Sequence, residues 1–126
     1  ILLQQNIPIS MWEVEYTDEF ETRWGTLTDK EQASVDSRVK LLQDFGTNLP
    51  SPYSSSVENS RHGKMRELRI QRKGHALRTF YAFDPRRIAV LLIGGDKTGN
   101  DRFYEEFIPV ADKIYDRHLE KIKEEE

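Results

Sequence analysis

The sequence predicts an α+β domain: one strand and two helices, then a three-strand antiparallel meander, then a long terminal helix. Three observations carry this. Residues 65–94 hold three strand-like runs separated by the short turns Lys73-Gly74-His75 and Asp84-Pro85-Arg86-Arg87, and turns this short join antiparallel neighbours. Residues 17–46 and 100–122 carry apolar side chains at helical spacing. One further alternating run, Trp12 to Thr17, precedes the first helix and must pair within the same sheet. Helices gathered on one side of that sheet would make the domain two-layered.

Taken in order, Trp12, Val14 and Tyr16 alternate with Glu13, Glu15 and Thr17, the pattern of a half-buried strand. Thr17 or Asp18 can cap a short helix that carries Phe20 and Trp24 at i, i+4, and both tryptophans sit on apolar faces suited to the core. Thr28 or Asp29 opens the second helix, with Ala33, Val35, Val39, Leu41, Leu42 and Phe45 in its apolar set and Gly46 as its terminator. The stretch TNLPSPYSSSVENS reads as a surface loop. MRELRIQR points Leu68 and Ile70 inward and Glu67, Arg69 and Gln71 outward; ALRTFYAF follows, and the unbroken run IAVLLI calls for a central strand covered on both faces. The last helix starts from Asn100 or Asp101, with Ile108, Val110, Ala111, Ile114, Tyr115, Leu119 and Ile122 as its stripe. Pro109 is placed to break off its first turn, and KIKEEE to fray. Residues 1–10 lack a basic start and a small-residue cleavage site, so they are expected to be a non-native or disordered leader before a single domain over 11–126.

The chain has 126 residues, 33% charged and 37% hydrophobic, and no cysteine. That excludes disulfides, thiolate metal sites and a cysteine nucleophile, and it fits a reducing cytoplasm. The longest apolar run, Ile88 to Ile93, is far short of a membrane helix. Net charge is −3, but residues 61–102 hold eleven basic and four acidic side chains, so a cationic working face sits on an acidic body. His62, His75 and His118 are isolated; no pair has metal-ligand spacing. His62 lies at the entry to the meander, and His118 decorates the last helix.

GGDKTGN, Gly94 to Asn100, follows a strand and precedes a helix, as a phosphate cradle would. It is not a Walker loop: Asp96 stands where glycine must precede the lysine, and the four-residue spacer is missing. The outward meander face offers a different chemistry. Glu67 and Arg69 point the same way, Arg78 lies on the neighbouring strand, Lys97 and Thr98 follow the next, and Tyr104 enters the last helix. That set lacks the acidic ligands of magnesium-dependent phosphoryl transfer. It matches metal-free RNA cleavage, where a base takes the proton of a ribose 2′-OH, that oxygen attacks the adjacent phosphate, and cations stabilise the dianionic transition state. The arginine fork suits phosphate. The same residues would also form an ordinary cross-strand ion pair among Glu67, Arg69 and Arg78. Tyr104 is open between a catalytic phenol and core packing, since Phe103 and Phe107 flank it.

The runs R-E-L-R, L-R-x-F-Y-A-F-D-P and G-G-D-K-T-G, within a match over nearly all of 11–122, resemble the RelE/HigB toxins of type II toxin–antitoxin systems, in their phage-derived Gp49-like branch. The resemblance implies a RelE-like fold and a ribosome-dependent mRNA endonuclease (an mRNA interferase) with no cofactor and no metal. It implies a helix-turn-helix antitoxin of the HigA kind as partner, the ribosome and mRNA as targets, no membrane, and operator DNA reached only through the antitoxin. By position it puts Glu67, Arg69, Arg78, Lys97 and Tyr104 in the catalytic set, and Arg66, Arg72, Lys73, Thr98 and Arg102 among RNA contacts. Arg78 falls on the strand arginine that meets the scissile phosphate. Glu67 replaces a lysine and Thr98 a second arginine, so Lys97 would cover that charge. Glu67 is then a general base, or it orients an arginine. Two other functions stay open: a ParE-like gyrase inhibitor, which needs an exposed apolar helix face, and an inactive toxin that acts only as an antitoxin-binding corepressor. The Arg86-Arg87 turn either grips RNA or is simply solvated.

Overall fold

The computed structural model describes residues 11–126; the expected leader at 1–10 lies outside the described residues. The chain runs β1 (Val14–Tyr16), α1 (Asp18–Gly25), α2 (Asp29–Phe45), a 3-10 turn (Gly46–Asn48), β2 (Ser54–Ser56), β3 (Arg66–Arg72), β4 (His75–Phe83), β5 (Ala89–Asp96) and α3 (Phe103–Glu124). One sheet holds all five strands in the order β1-β5-β4-β3-β2, with β1 parallel to β5 and the rest antiparallel. The α+β class, the meander and the long last helix are as the sequence predicts. Among the described residues no helix is long and apolar enough to cross a membrane.

The helix starts form by the expected chemistry. Thr17 Oγ1 accepts from Phe20 N at 3.1 Å and donates to Leu92 O at 2.6 Å, which fixes α1 to the centre of the sheet. Thr28 and Glu31 make a reciprocal capping box. Gly46 ends α2 at φ 57°, and a Cβ there would lie 2.1 Å from the Trp12 ring, so glycine is required twice over.

The structure departs from expectation in several places. The helices do not gather on one side. Val35, Val39 and Leu42 of α2, with Phe20 and Trp24, pack on Leu68, Ile70, Leu77, Tyr81 and Leu91. Ile108, Ala111, Ile114 and Tyr115 of α3 pack on Phe80, Ala82, Val90 and Leu92 of the opposite sheet face. The cause is β5 itself: a central strand apolar on both faces must be covered on both. A register shift opposite Phe80 and Tyr81 leaves Leu92 as the extra residue, so Leu92 and Ile93 both pack on the α3 side. The serine-rich loop contains β2, a short edge strand that alternation of apolar residues could not reveal. Pro109 stays inside α3 on an exposed position without ending it, and the helix continues through the tail expected to fray, anchored by buried Ile122. Ala33, Phe45 and Val110 fall on exposed faces, and Trp12 is half-buried against Phe83.

The turn after β4 is held by Asp84, whose side chain is 0% exposed. Its Oδ1 accepts from Arg86 N at 2.8 Å, and its Oδ2 from Arg86 Nη2 at 2.7 Å and His118 Nε2 at 3.0 Å. Arg86 reaches on to Glu15 at 2.8 Å. Arg86 is therefore not a solvated turn residue, and His118 is more than a decoration of α3: together they tie β1, the turn and the last helix. Burial alone would raise the Asp84 carboxyl, but hydrogen bonds from Arg86 and His118 and the Arg86 charge outweigh it and hold it below its ordinary value. A depressed folded value stabilises above the unfolded value of about 3.8 and is lost as pH falls through the folded one. Asp84→Asn is expected to lower stability at pH 7 by about 1–3 kcal/mol, since the turn loses charge-assisted hydrogen bonds from Arg86 and His118 while Arg86 keeps Glu15. In urea titrations it should also flatten the loss of stability below about pH 4; an unchanged acid limb would contradict this assignment.

Candidate functional site

The site is built where two strands and one helix start meet. β3 and β4 pair so that Arg69 stands directly opposite Arg78 and Glu67 opposite Phe80. Those four side chains share the α3 face of the sheet. The helix covers that face from Met65 and Ala82 as far as Phe80. Beyond it the face opens, with Arg69 and Ala76 half-buried and Gln71 exposed. Tyr104, in the first turn of α3, closes the boundary.

Glu67 and Arg78 are buried, their side chains 6% and 5% exposed. Tyr104 Oη donates to both Glu67 oxygens, at 2.9 and 3.1 Å, and Ser55 Oγ donates to Oε2 at 2.9 Å. Arg78 Nε faces Glu67 Oε1 at 3.7 Å, an ion pair but too long for a hydrogen bond. Nη1 of Arg78 donates to Leu77 O at 2.9 Å, while Nε is buried with no acceptor. An orphan donor on a buried guanidinium is costly and marks a place where an acceptor is missing. Arg69 contributes a second positive charge directly across from Arg78, and among the described residues its guanidinium makes no hydrogen bond or ion pair. Like charges placed opposite each other repel. One carboxylate therefore serves two cations, and the cluster keeps a positive excess. Burial raises the Tyr104 phenol, Arg78 pulls it back, and the hydrogen bond and charge of Glu67 push it up; the net result is above the ordinary tyrosine value, so the phenol is neutral near pH 7.

The GGDKTGN turn supports this arrangement. A Cβ on Gly95 would lie 2.7 Å from Phe107 and 2.9 Å from Phe103, so bare backbone here lets the α3 aromatics sit down on β5. Phe103 and Phe107 stack at 4.4 Å, Phe80 stacks on both, and Tyr104 meets Phe80 and Phe103 edge-on. Tyr104 is thus a packed ring, as one of the two expected roles requires, with a polar tip that reaches Glu67. Lys97 Nζ lies 5.9 Å from the centre of the Tyr104 ring. A hollow of about 500 Å³ beside it is lined by Gly74, Ala76, Lys97, Thr98, Phe103 and Tyr104. On the other side of Tyr104 a second hollow of about 250 Å³ is lined by Ser56, Val57, Asn59, Glu67, Tyr104 and Ile108.

Glu67, Arg69, Arg78, Lys97 and Tyr104 are thus brought together. The remaining expected contacts are placed differently. Thr98 Oγ1 accepts from Ala76 N at 2.8 Å and pins the turn to the β3–β4 hairpin. Arg102 is exposed and pairs with Glu105. Lys73 sits in the hairpin turn at φ 45°, and Arg72 alternates to the α2 side of the sheet. Arg66 likewise points away from Glu67 and donates to Ser54 and Ser56. His62 and His75 are not isolated; they meet Asp116 and Asp96 at 2.7 Å each. Ser55, Phe80 and Gly95 complete the site without having been anticipated. The F-Y-x-x-F spacing over a double glycine was the available signal for the aromatic seat; nothing in a run of three serines singles out Ser55.

The family described as phage derived protein Gp49-like matches residues 23–116, and the chain belongs to that family. "Putative toxin HigB3" of Mycobacterium tuberculosis is 41% identical over 93 residues, covering 72% of this chain and 80% of that protein. "Putative toxin HigB2" of the same organism is 35% identical over 92 residues, 71% of this chain, but the chain spans only 46% of that protein's length. A free-state mutant of E. coli toxin RelE superposes with a TM-score of 0.51 at 11% identity, over 77% of this chain and 95% of that one, a likeness of fold.

Burial separates the site residues by what their loss does. Glu67→Gln is expected to destabilise by about 3–5 kcal/mol in urea denaturation, because Arg78 then lies buried without a counter-charge. Arg69→Ala should stay within about 0.5 kcal/mol, since among the described residues its guanidinium has no hydrogen bond or ion pair to lose. Similar losses from both would contradict the account.

Proposed function

We propose that this chain is the toxin of a type II toxin–antitoxin pair and acts as a metal-independent, ribosome-dependent mRNA endonuclease, with residues 11–126 as its single domain. The observation that carries the reading is the buried Arg78 Nε without an acceptor beside the unpartnered Arg69 guanidinium. A scissile phosphate in the groove would satisfy both, with Lys97 as a third cation at the mouth. Glu67 and Arg78 are equally buried, so the Arg78 guanidinium would have to turn outward to meet the phosphate, while Glu67 acts through the Tyr104 hydroxyl that it receives. The proton of the attacking 2′-OH would pass to the phenol oxygen as the phenol proton passes to Glu67, leaving Tyr104 neutral throughout; the P–O5′ bond breaks as the 2′,3′-cyclic phosphate forms, and the departing 5′-oxygen takes its proton from solvent water. Membership of a family whose relatives are named toxins supports the same reading. A HigA-like antitoxin, the ribosome and mRNA are the partners this implies, with operator DNA bound through the antitoxin complex, in the cytoplasm.

The gyrase-type alternative has less to stand on. Among the described residues the large apolar side chains left exposed are Phe45, Tyr53 and Val110, on three different segments.

Induced without its antitoxin, the chain is expected to arrest growth and to leave 5′ ends inside codons of translated messages. Arg69→Ala and Tyr104→Phe should each lower cleavage by roughly 100-fold or more, with folding retained. Arg78→Ala should abolish cleavage too, but it uncovers Glu67 and is the weaker test. Arrest with intact messages, unchanged in Arg69→Ala, would overturn the nuclease reading and point to a protein target.

A further inference from the structure

The hollows beside Tyr104 do not end there. The smaller one shares Ser56 with a third hollow of about 400 Å³, reached around the short edge strand β2 and containing Trp12, Lys64, Arg66, Phe83 and Arg87. Among the described residues its three cations have no carboxylate partner. Arg66 is held by Ser54 Oγ at 3.0 Å and Ser56 Oγ at 3.1 Å, which use two of its three nitrogens. The Arg87 guanidinium lies 4.8 Å from the Trp12 ring centre, and Lys64 makes no bond at all. By contrast Arg61, Arg86, Arg102 and Arg117 are each paired with an acid. The one carboxylate in the hollow, Asp84, is fully buried and engaged by Arg86 and His118. Arg87 also takes φ 64°, a costly conformation for a residue with a side chain, and its N–H donates to Asp84 O at 2.8 Å. The turn thus spends strain to hold a guanidinium over an aromatic ring, facing two other cations.

We propose that Lys64, Arg66 and Arg87 form a second phosphate subsite, which takes the backbone of the same single-stranded RNA after it leaves Tyr104 and rounds the β2 edge. The proposal rests on the RNA-cleaving reading above. Two planar guanidinium forks, held by the β2 serines and by Trp12, match phosphodiester oxygens, and Trp12 and Phe83 give a sugar or base an apolar floor. Ser56 lines both hollows at the edge between the two sites, and the acidic neighbours on the way, Glu58 and the buried Glu67, are outnumbered by the cations at both ends.

The test is binding of uncleavable 2′-deoxy oligonucleotides of 3 and 12 nucleotides, followed by fluorescence anisotropy at several salt concentrations. The 12-mer should bind wild type about tenfold or more tighter than the 3-mer, because only it reaches both sites. The Lys64→Ala/Arg87→Ala variant should lose that advantage and about 1.4 of the salt slope, two phosphate contacts' worth, with the 3-mer unaffected. The Lys64→Arg/Arg87→Lys variant should regain most of it. A length advantage and salt slope unchanged in the alanine variant would overturn the subsite, and would leave the cleft reading to stand if Arg69→Ala still weakens the 3-mer. No binding of either length, with Arg69→Ala indistinguishable from wild type, would remove both. Loss of antitoxin binding in the alanine variant with RNA affinity intact would also overturn the subsite and assign the hollow to an acidic protein partner.

Discussion

The site depends on one carboxylate. Glu67 lies buried in the sheet, faces the Arg78 guanidinium at 3.7 Å, and receives hydrogen bonds from Tyr104 and Ser55. Without its charge Arg78 could not stay in the interior, because a buried cation needs a counter-charge close by. Without its oxygens the Tyr104 hydroxyl would have no reason to point into the sheet. The same group therefore holds the Arg78 guanidinium inside the sheet and draws the Tyr104 hydroxyl toward it. Arg69, directly across from Arg78, then adds a charge that has no ion-pair partner among the described residues. The cluster is stable as a fold and incomplete as an electrostatic arrangement, which is the condition of a site that expects an anion.

The surrounding architecture protects that arrangement. α1 and α2 pack on one face of the sheet and α3 on the other, so most of β5 is buried. Gly95 lets Phe103 and Phe107 lie against the strand, and Tyr104 inherits its position from that stack. At the far end, Asp84 locks the turn to β1 and α3. Function is left to the part of the α3 face that the helix does not reach.

Much of this was legible in the chain. The caps at Thr17 and Thr28 and the stop at Gly46 follow from side-chain chemistry that acts within three residues. Glu67 and Arg69 had to share a face because strands alternate, and the tight Lys73-Gly74 hairpin then brought Arg78 beside them. The unbroken apolar run of β5 already required cover on both sides, although a one-sided helix layer was expected. Ser55 was out of reach, since a polar edge strand gains its identity only from the partner it pairs with. Asp84 was hidden for a related reason: a carboxylate in an Asp-Pro turn is usually solvated, and its burial depends on Arg86 and on His118 arriving from 34 residues away. Long-range polar contacts of this kind leave no period in a sequence.

The most direct measurement is the 15N-edited NMR signal of the Arg78 Nε–H as an uncleavable dinucleotide monophosphate is added. The account predicts that this resonance shifts downfield and exchanges more slowly with solvent as the orphan donor gains a phosphate oxygen, and that Arg69→Ala weakens the titration. An Arg78 signal that stays fixed while the nucleotide binds elsewhere would contradict it, and would make the Glu67–Arg78 pair a structural strut with no part in phosphate recognition.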